Sequence, residues 1–164
     1  MNRNRIVAIL ATALALVWPH WLNASHAAVP GNDTVEQFSF RHLTNNAYEI
    51  GERLTFDIDY GYITAGQAVM SIPGYQYVNG RPTLDTRVEA FSAPTFDWIF
   101  RVRDRYETFM DVDGLFPWRF EQHVREGHYS KDYEASFDPE NSTARTSDGH
   151  NYNTPQYVND IVSA

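Results

Sequence analysis

Apolar and polar residues change places at every step from Leu54 to Tyr62. Leu54, Phe56, Ile58, Tyr60 and Tyr62 fall on one side, and Thr55, Asp57, Asp59 and Gly61 on the other. A two-residue repeat marks a strand with one buried and one wet face, because successive side chains leave a pleated backbone in opposite directions. A helix, with its period of 3.6, would scatter the same apolar residues around its circumference. Whatever fold the chain adopts must therefore give a sheet one apolar and one polar face.

The alternation returns down the chain between turn-forming residues. Ala65-Gly66 reads as a break, after which Ala68, Met70 and Ile72 continue as a second strand, making a hairpin with the first. Asn79-Gly80 tolerates the positive φ of a type I′ turn and predicts a hairpin between strands near 67–77 and 83–90. Leu84, Thr86, Val88 and Ala90 share a face there. Residues 92–95 break the pattern, and Phe96 to Phe100 read as either a helical turn or a strand entry. Further strands are predicted at 102–112, 118–126, 129–137 and 143–146, with turns at 113–114, 127–128, 138–141 and 147–149. Strands at this spacing predict an all-β fold, a curved antiparallel meander sheet or a partial β-barrel. At the C-terminus Thr154-Pro155 is a helix-start pair, and Val158, Ile161 and Val162 follow at helical spacing. A short C-terminal helix is expected, and its early end suggests a domain cut before completion.

Composition narrows the function. The chain has no cysteine, which excludes disulfides, thiolate catalysis, thiolate metal sites and a lipidated N-terminal cysteine. Aromatic residues make up 15%, which suits a pleated surface. Arg3 and Arg5, the apolar run from Ile6 to Trp18 and the small-x-small triplet Ser25-His26-Ala27 predict a signal peptide over 1–27, cleaved near Ala27-Ala28. Its apolar run is too short to span a bilayer comfortably. Export, most simply to a bacterial periplasm, is the expectation. Residues 28–46 are polar and aperiodic and read as a flexible lead-in to a single β-rich domain over 47–164. Cleavage would remove two of the 13 basic residues and none of the 21 acidic ones, leaving an acidic protein that repels nucleic acid.

Several constellations carry chemistry on paper. His123 and His128 flank a turn with Glu121 and Glu126 near, but no spacing matches a metal signature, so no metal or other cofactor is assigned. Asp57 with Asp59, or Glu107 with Asp111, supplies carboxylate pairs of the kind glycoside hydrolysis uses. Such pairs also arise on any acidic polar face. Ser130, His128 and Asp132 supply triad residue types without a nucleophile turn. No catalytic residue follows. Arg101, Arg103 and Arg105 share a strand face, either for ion pairing with Glu121 or Glu126 or for holding an anionic head group. Phe56, Tyr60, Tyr62, Phe96, Trp98, Phe100, Trp118 and Phe120 would form either core or the wall of one concavity.

An ordered set of segments resembles the bacterial domain-of-unknown-function 3108 family. They are Gly51 to Asp57, Tyr60 to Gly66, Val102 to Thr108, Gly114 to Phe120, Gly127 to Tyr133 and Gln156 to Ala164. The resemblance covers about 47–164. It implies an exported Gram-negative protein with a large curved antiparallel sheet, no established activity and no catalytic residues to carry over. Family members usually continue with several more strands. The reading that follows is a non-enzymatic binder of an apolar or amphipathic envelope component such as a lipid. Arg103, Arg105, Trp98, Tyr60, Tyr62 and Trp118 are its candidate ligand contacts. A module that pairs with another envelope protein through exposed strands is the alternative, and a glycan-directed hydrolase a third.

Overall fold

A computed structural model describes residues 37–164. The expected signal segment and the first part of the lead-in lie outside the described residues. Eight strands follow in order: β1 (Arg53–Tyr60), β2 (Ile63–Val78), β3 (Arg81–Ser92), β4 (Arg103–Asp111), β5 (Pro117–Glu126), β6 (Tyr129–Asp138), β7 (Thr143–Thr146) and β8 (Asn151–Asn153). Each pairs antiparallel with the next in a single open sheet, so the meander is all-β and unclosed, with β1 and β8 as its edges.

Turn chemistry sets most of these boundaries. Asn79 and Gly80 have φ of 52° and 75°, the left-handed pair that a type I′ hairpin requires. The first hairpin turns at Gly61-Tyr62 instead of at Ala65-Gly66, with β2 running straight through the latter pair. Gly66 is there for a different reason: a Cβ on it would lie 2.5 Å from the Phe91 carbonyl oxygen. Phe96 to Phe100 resolves as a helical turn, the Phe96 carbonyl accepting from the amides of Ile99 and Phe100 at 2.9 and 3.0 Å.

The C-terminal segment departs from expectation. Residues 154–164 make turns and no helix. The Val158 amide reaches back to the Pro155 carbonyl at 3.3 Å, a single turn that goes no further. Asp160 then takes the amides of Val162 and Ser163 on its carboxylate and is held by the Thr108 hydroxyl at 2.8 Å. Side-chain capture of backbone N–H groups competes with helix, and two helical turns have little cooperativity with which to resist it.

Direct cross-strand partners point the same way, so the register sorts the side chains. Leu54, Phe56 and Ile58 face the same side as Gly66, Ala68, Met70, Val88, Ala90, Tyr106 and Phe120. At the β2–β3 hairpin end this face buries Ile72, Leu84 and Met110, with Val112 and Leu115 packed against them.

The opposite face at that end is organised by Asp111, whose side chain is buried. Its carboxylate accepts from Arg81 Nε and Nη2 at 2.5 and 3.0 Å, from Trp118 Nε1 at 2.9 Å, and from the Asp113 and Gly114 amides at 3.0 and 2.7 Å. Around it Phe40, Phe116 and Trp118 pack at ring separations of 5.2–5.9 Å. Part of the polar lead-in is drawn in here: Arg41 donates to the carbonyls of Gly114 and Leu115 at 2.6 and 2.7 Å and lies over the Tyr157 ring.

Burial pushes the Asp111 pKa up, but the hydrogen bonds from Arg81, Trp118 and Gly114 outweigh it and hold the carboxyl below its ordinary value. A depressed carboxyl contributes stability above its unfolded pKa of about 4 and loses that contribution as pH falls through the folded-state value. Asp111→Ala is expected to cost about 3–5 kcal/mol in urea denaturation, because it strands the Arg81 guanidinium and three N–H donors. The wild-type advantage over the variant should be constant near neutrality and shrink below about pH 4. An advantage that grows on acidification contradicts this account.

Candidate functional site

At the β1–β3 end the apolar face carries a cavity of about 280 Å³. Its lining comes from two sources. Ile58, Gly66, Ala90 and Ser92 belong to three adjacent strands, and their register places them side by side. Phe96, Ile99, Phe100 and Val102 come from the connection between β3 and β4. The depth has a simple cause. Glycine and alanine form the floor, so the sheet is thin there, while Ile58 and the aromatic turn rise on either side.

The connection is pinned by a polar clasp. Asp97 accepts from the Ser92 hydroxyl at 2.5 Å and from Arg103 Nη2 at 2.6 Å. The Ser92 hydroxyl oxygen accepts from the Val102 amide at 2.9 Å, and Arg103 also donates to the Val102 carbonyl. The Ser92 and Arg103 hydrogen bonds hold the Asp97 carboxyl below the usual range. Arg103 is therefore a positioning residue for the cavity wall.

The candidate contacts disperse in the fold. Arg105 forms an ion pair with Glu107 at 3.1 Å on the polar face. Trp118 is buried beside Asp111, away from the cavity; the register irregularity at Phe109/Met110 leaves it without a direct partner on β4. Tyr60, Tyr62 and Trp98 are more than four-fifths exposed, and none of them lines the cavity. Of the eight aromatics grouped in sequence, Phe96 and Phe100 reach it. The lining residues that sequence reasoning missed include Ile58, Gly66, Ala90, Ile99 and Val102. The period-two register held the signal for Ile58 and Ala90. Small floor residues, however, read in sequence as weak strand or turn.

The polar face is an ion-pair lattice. Glu107, 4% exposed, receives Arg87 Nε at 2.6 Å and Arg105 Nε at 3.1 Å. Glu121 lies directly across from Glu107, with Arg119 Nε at 3.0 Å and His123 Nε2 at 3.4 Å. His123 Nδ1 is held by Asp132 at 2.8 Å, and Arg125 also binds Asp132. Among the described residues, Glu107, Glu121 and His123 bring donor atoms within 4.8 Å of one another, close enough to share a metal ion. The two carboxylates are already met by three guanidiniums, those of Arg87, Arg105 and Arg119, which a divalent cation would have to displace or repel. Asp132 serves His123 and Arg125 rather than His128, so the triad residue types do not assemble. Asp57 and Asp59 accept from Gln67 and Thr64.

A second depression, of about 350 Å³, lies beside the β5–β6 turn, lined by Arg101, Arg103, Arg125, His128, Tyr129 and Ser130. Arg101 and Arg103 alternate with Phe100 and Val102 along one extended stretch. Cationic and apolar sites thus occupy opposite sides of the same segment. Among the described residues Arg101 makes no ion pair, unlike Arg103 and Arg105.

The clasp generates a test. Asp97→Ala should speed hydrogen exchange of the Val102 amide at least tenfold and spare amides in β5 and β6. Uniform exchange across both regions would show that the clasp does not hold the wall.

No curated protein and no solved structure matches the chain. A family match covers residues 55–164. It takes in every strand but the first two residues of β1, together with the whole cavity and the Asp111 centre. The chain belongs to the family described as "Protein of unknown function (DUF3108)".

Proposed function

We propose that this protein is a non-enzymatic carrier or sensor that binds an apolar or amphipathic molecule on the uncovered end of its apolar face. The observation that carries the reading is the cavity over Gly66 and Ala90, continuous with an exposed apolar row on β1. Its volume is near the lower limit of roughly 300 Å³ for ligand pockets, which suits part of an acyl chain or one ring. The remainder of a longer ligand would lie along Leu54, Phe56 and Met70, which share that face. An anionic end would pass the rim at Phe100–Val102 and meet Arg101, whose guanidinium fork suits a carboxylate or phosphate.

The place of action proposed is outside the cytoplasm, in the bacterial envelope. The N-terminal charge, apolar run and small-x-small triplet support it. A lipid or lipid-like component is the natural ligand class in that compartment. Catalysis has no support in the geometry: the carboxylates weighed as acid and base are engaged by arginine, glutamine, threonine or tryptophan partners.

Displacement of a fluorescent fatty acid from delipidated protein tests the proposal. Wild type should bind the probe, and Ala90→Phe, which fills the floor, should weaken binding at least tenfold without lowering stability by more than about 2 kcal/mol. Arg101→Ala should weaken a fatty acid but not the corresponding alcohol. No binding by wild type, or equal binding by a folded Ala90→Phe, contradicts the reading.

A further inference from the structure

The two edges of the sheet are managed in opposite ways. β8 is three residues long, Asn-Tyr-Asn, a short polar end of the kind that discourages pairing. β1 is eight residues long, every one exposed, with Leu54, Phe56, Ile58 and Tyr60 in line on one side at 46–84% exposure. It contains no proline and no lysine, and its register irregularity comes only after Ile58. A long, exposed edge with an apolar row, free of proline and lysine and regular as far as Ile58, is a template for another strand.

The backbone that is free to pair can be named. The Glu52 carbonyl accepts from the Ile72 amide at 3.0 Å, so Glu52 turns its backbone groups toward β2. Alternation then turns Leu54, Phe56 and Ile58 inward and leaves the N–H and C=O of Arg53, Thr55 and Asp57 facing out. These are three donors and three acceptors at regular spacing on an open edge.

We propose that β1 pairs antiparallel with β1 of a second copy, with Thr55 on the two-fold axis. In this register Thr55 exchanges both backbone bonds with its counterpart. Arg53 stands opposite Asp57 twice, once on each side of the axis, and Leu54 stands opposite Phe56 twice on the apolar face. Opposite charges directly across an antiparallel pair are favourable, and like charges are not. Moving the axis to Asp57 sets the two Asp57 side chains against each other, so charge selects the register. Asp57 accepts from Gln67 Nε2 through one oxygen, which leaves the other for the incoming guanidinium. A two-fold contact of this kind uses one strand twice and so closes on itself. The paired sheets would carry one apolar face across both copies, joining their two cavities.

Sedimentation velocity of the purified full chain between about 1 and 100 μM, with the variants alongside, decides the matter. Wild type should show a monomer–dimer equilibrium. Thr55→Pro should be monomeric and as stable as wild type, because it removes only an outward N–H and proline is tolerated on edge strands. Arg53→Asp should weaken dimerisation roughly tenfold by setting like charges across the axis, and Arg53→Asp with Asp57→Arg should restore it. A wild type that stays monomeric at 100 μM, or a dimer unaffected by Thr55→Pro, overturns the proposal. Failure here leaves the fatty-acid result untouched, because the cavity lies within one copy.

Discussion

A buried carboxylate holds together the end of this sheet that is well packed. Asp111 gathers Arg81 from β3, Trp118 from β5 and two amides of the turn between β4 and β5. Three consecutive strands and a connection are thereby tied through one group that water does not reach. A buried charge is tolerable only when its lone pairs are filled, and here they are. The aromatic cluster of Phe40, Phe116 and Trp118 closes over the site, and Arg41 lays residues 38–43 against it. The Asp111 carboxylate is fully engaged within the fold, and its role at this end is stability.

The contrast with the other end gives the molecule its functional asymmetry. There the sheet is floored by glycine and alanine, the apolar row of β1 is uncovered, and a polar clasp fixes the one connection that rises over the face. The polar face beneath is neutralised internally, arginine against carboxylate, across several strands. Apolar surface left open beside a rigid and electrostatically settled lattice is a feature of binding surfaces.

Much of the fold was legible in the residues, and the reasons are local. Period-two alternation identified seven of the eight strands, and Asn79-Gly80 marked its hairpin because few other pairs accept positive φ twice. β8 escaped, since Asn-Tyr-Asn has little strand propensity and pairs only because β7 presents an edge. Ala65-Gly66 reads in sequence as a break, although Gly66 serves close approach to Phe91, a tertiary fact without local signature. The C-terminal helix signal was real as spacing, and the Asp160 carboxylate took the amides the helix needed.

The site was less legible, for a physical reason. Arginines and aromatics attract attention by type, but type does not say whether a partner is already present. Arg103 and Arg105 are engaged by Asp97 and Glu107, and Trp118 by Asp111. The cavity is defined by what its floor lacks, side-chain bulk at Gly66 and Ala90. Two-dimensional NMR of the amide spectrum during titration with dodecanoate tests the central claim most directly. The account predicts shifts concentrated at Ile58, Gly66, Ala90 and Phe100 to Val102, with the amides around Asp111 unmoved. Shifts centred on Asp111 and Trp118, or no shifts at saturating dodecanoate, would contradict it.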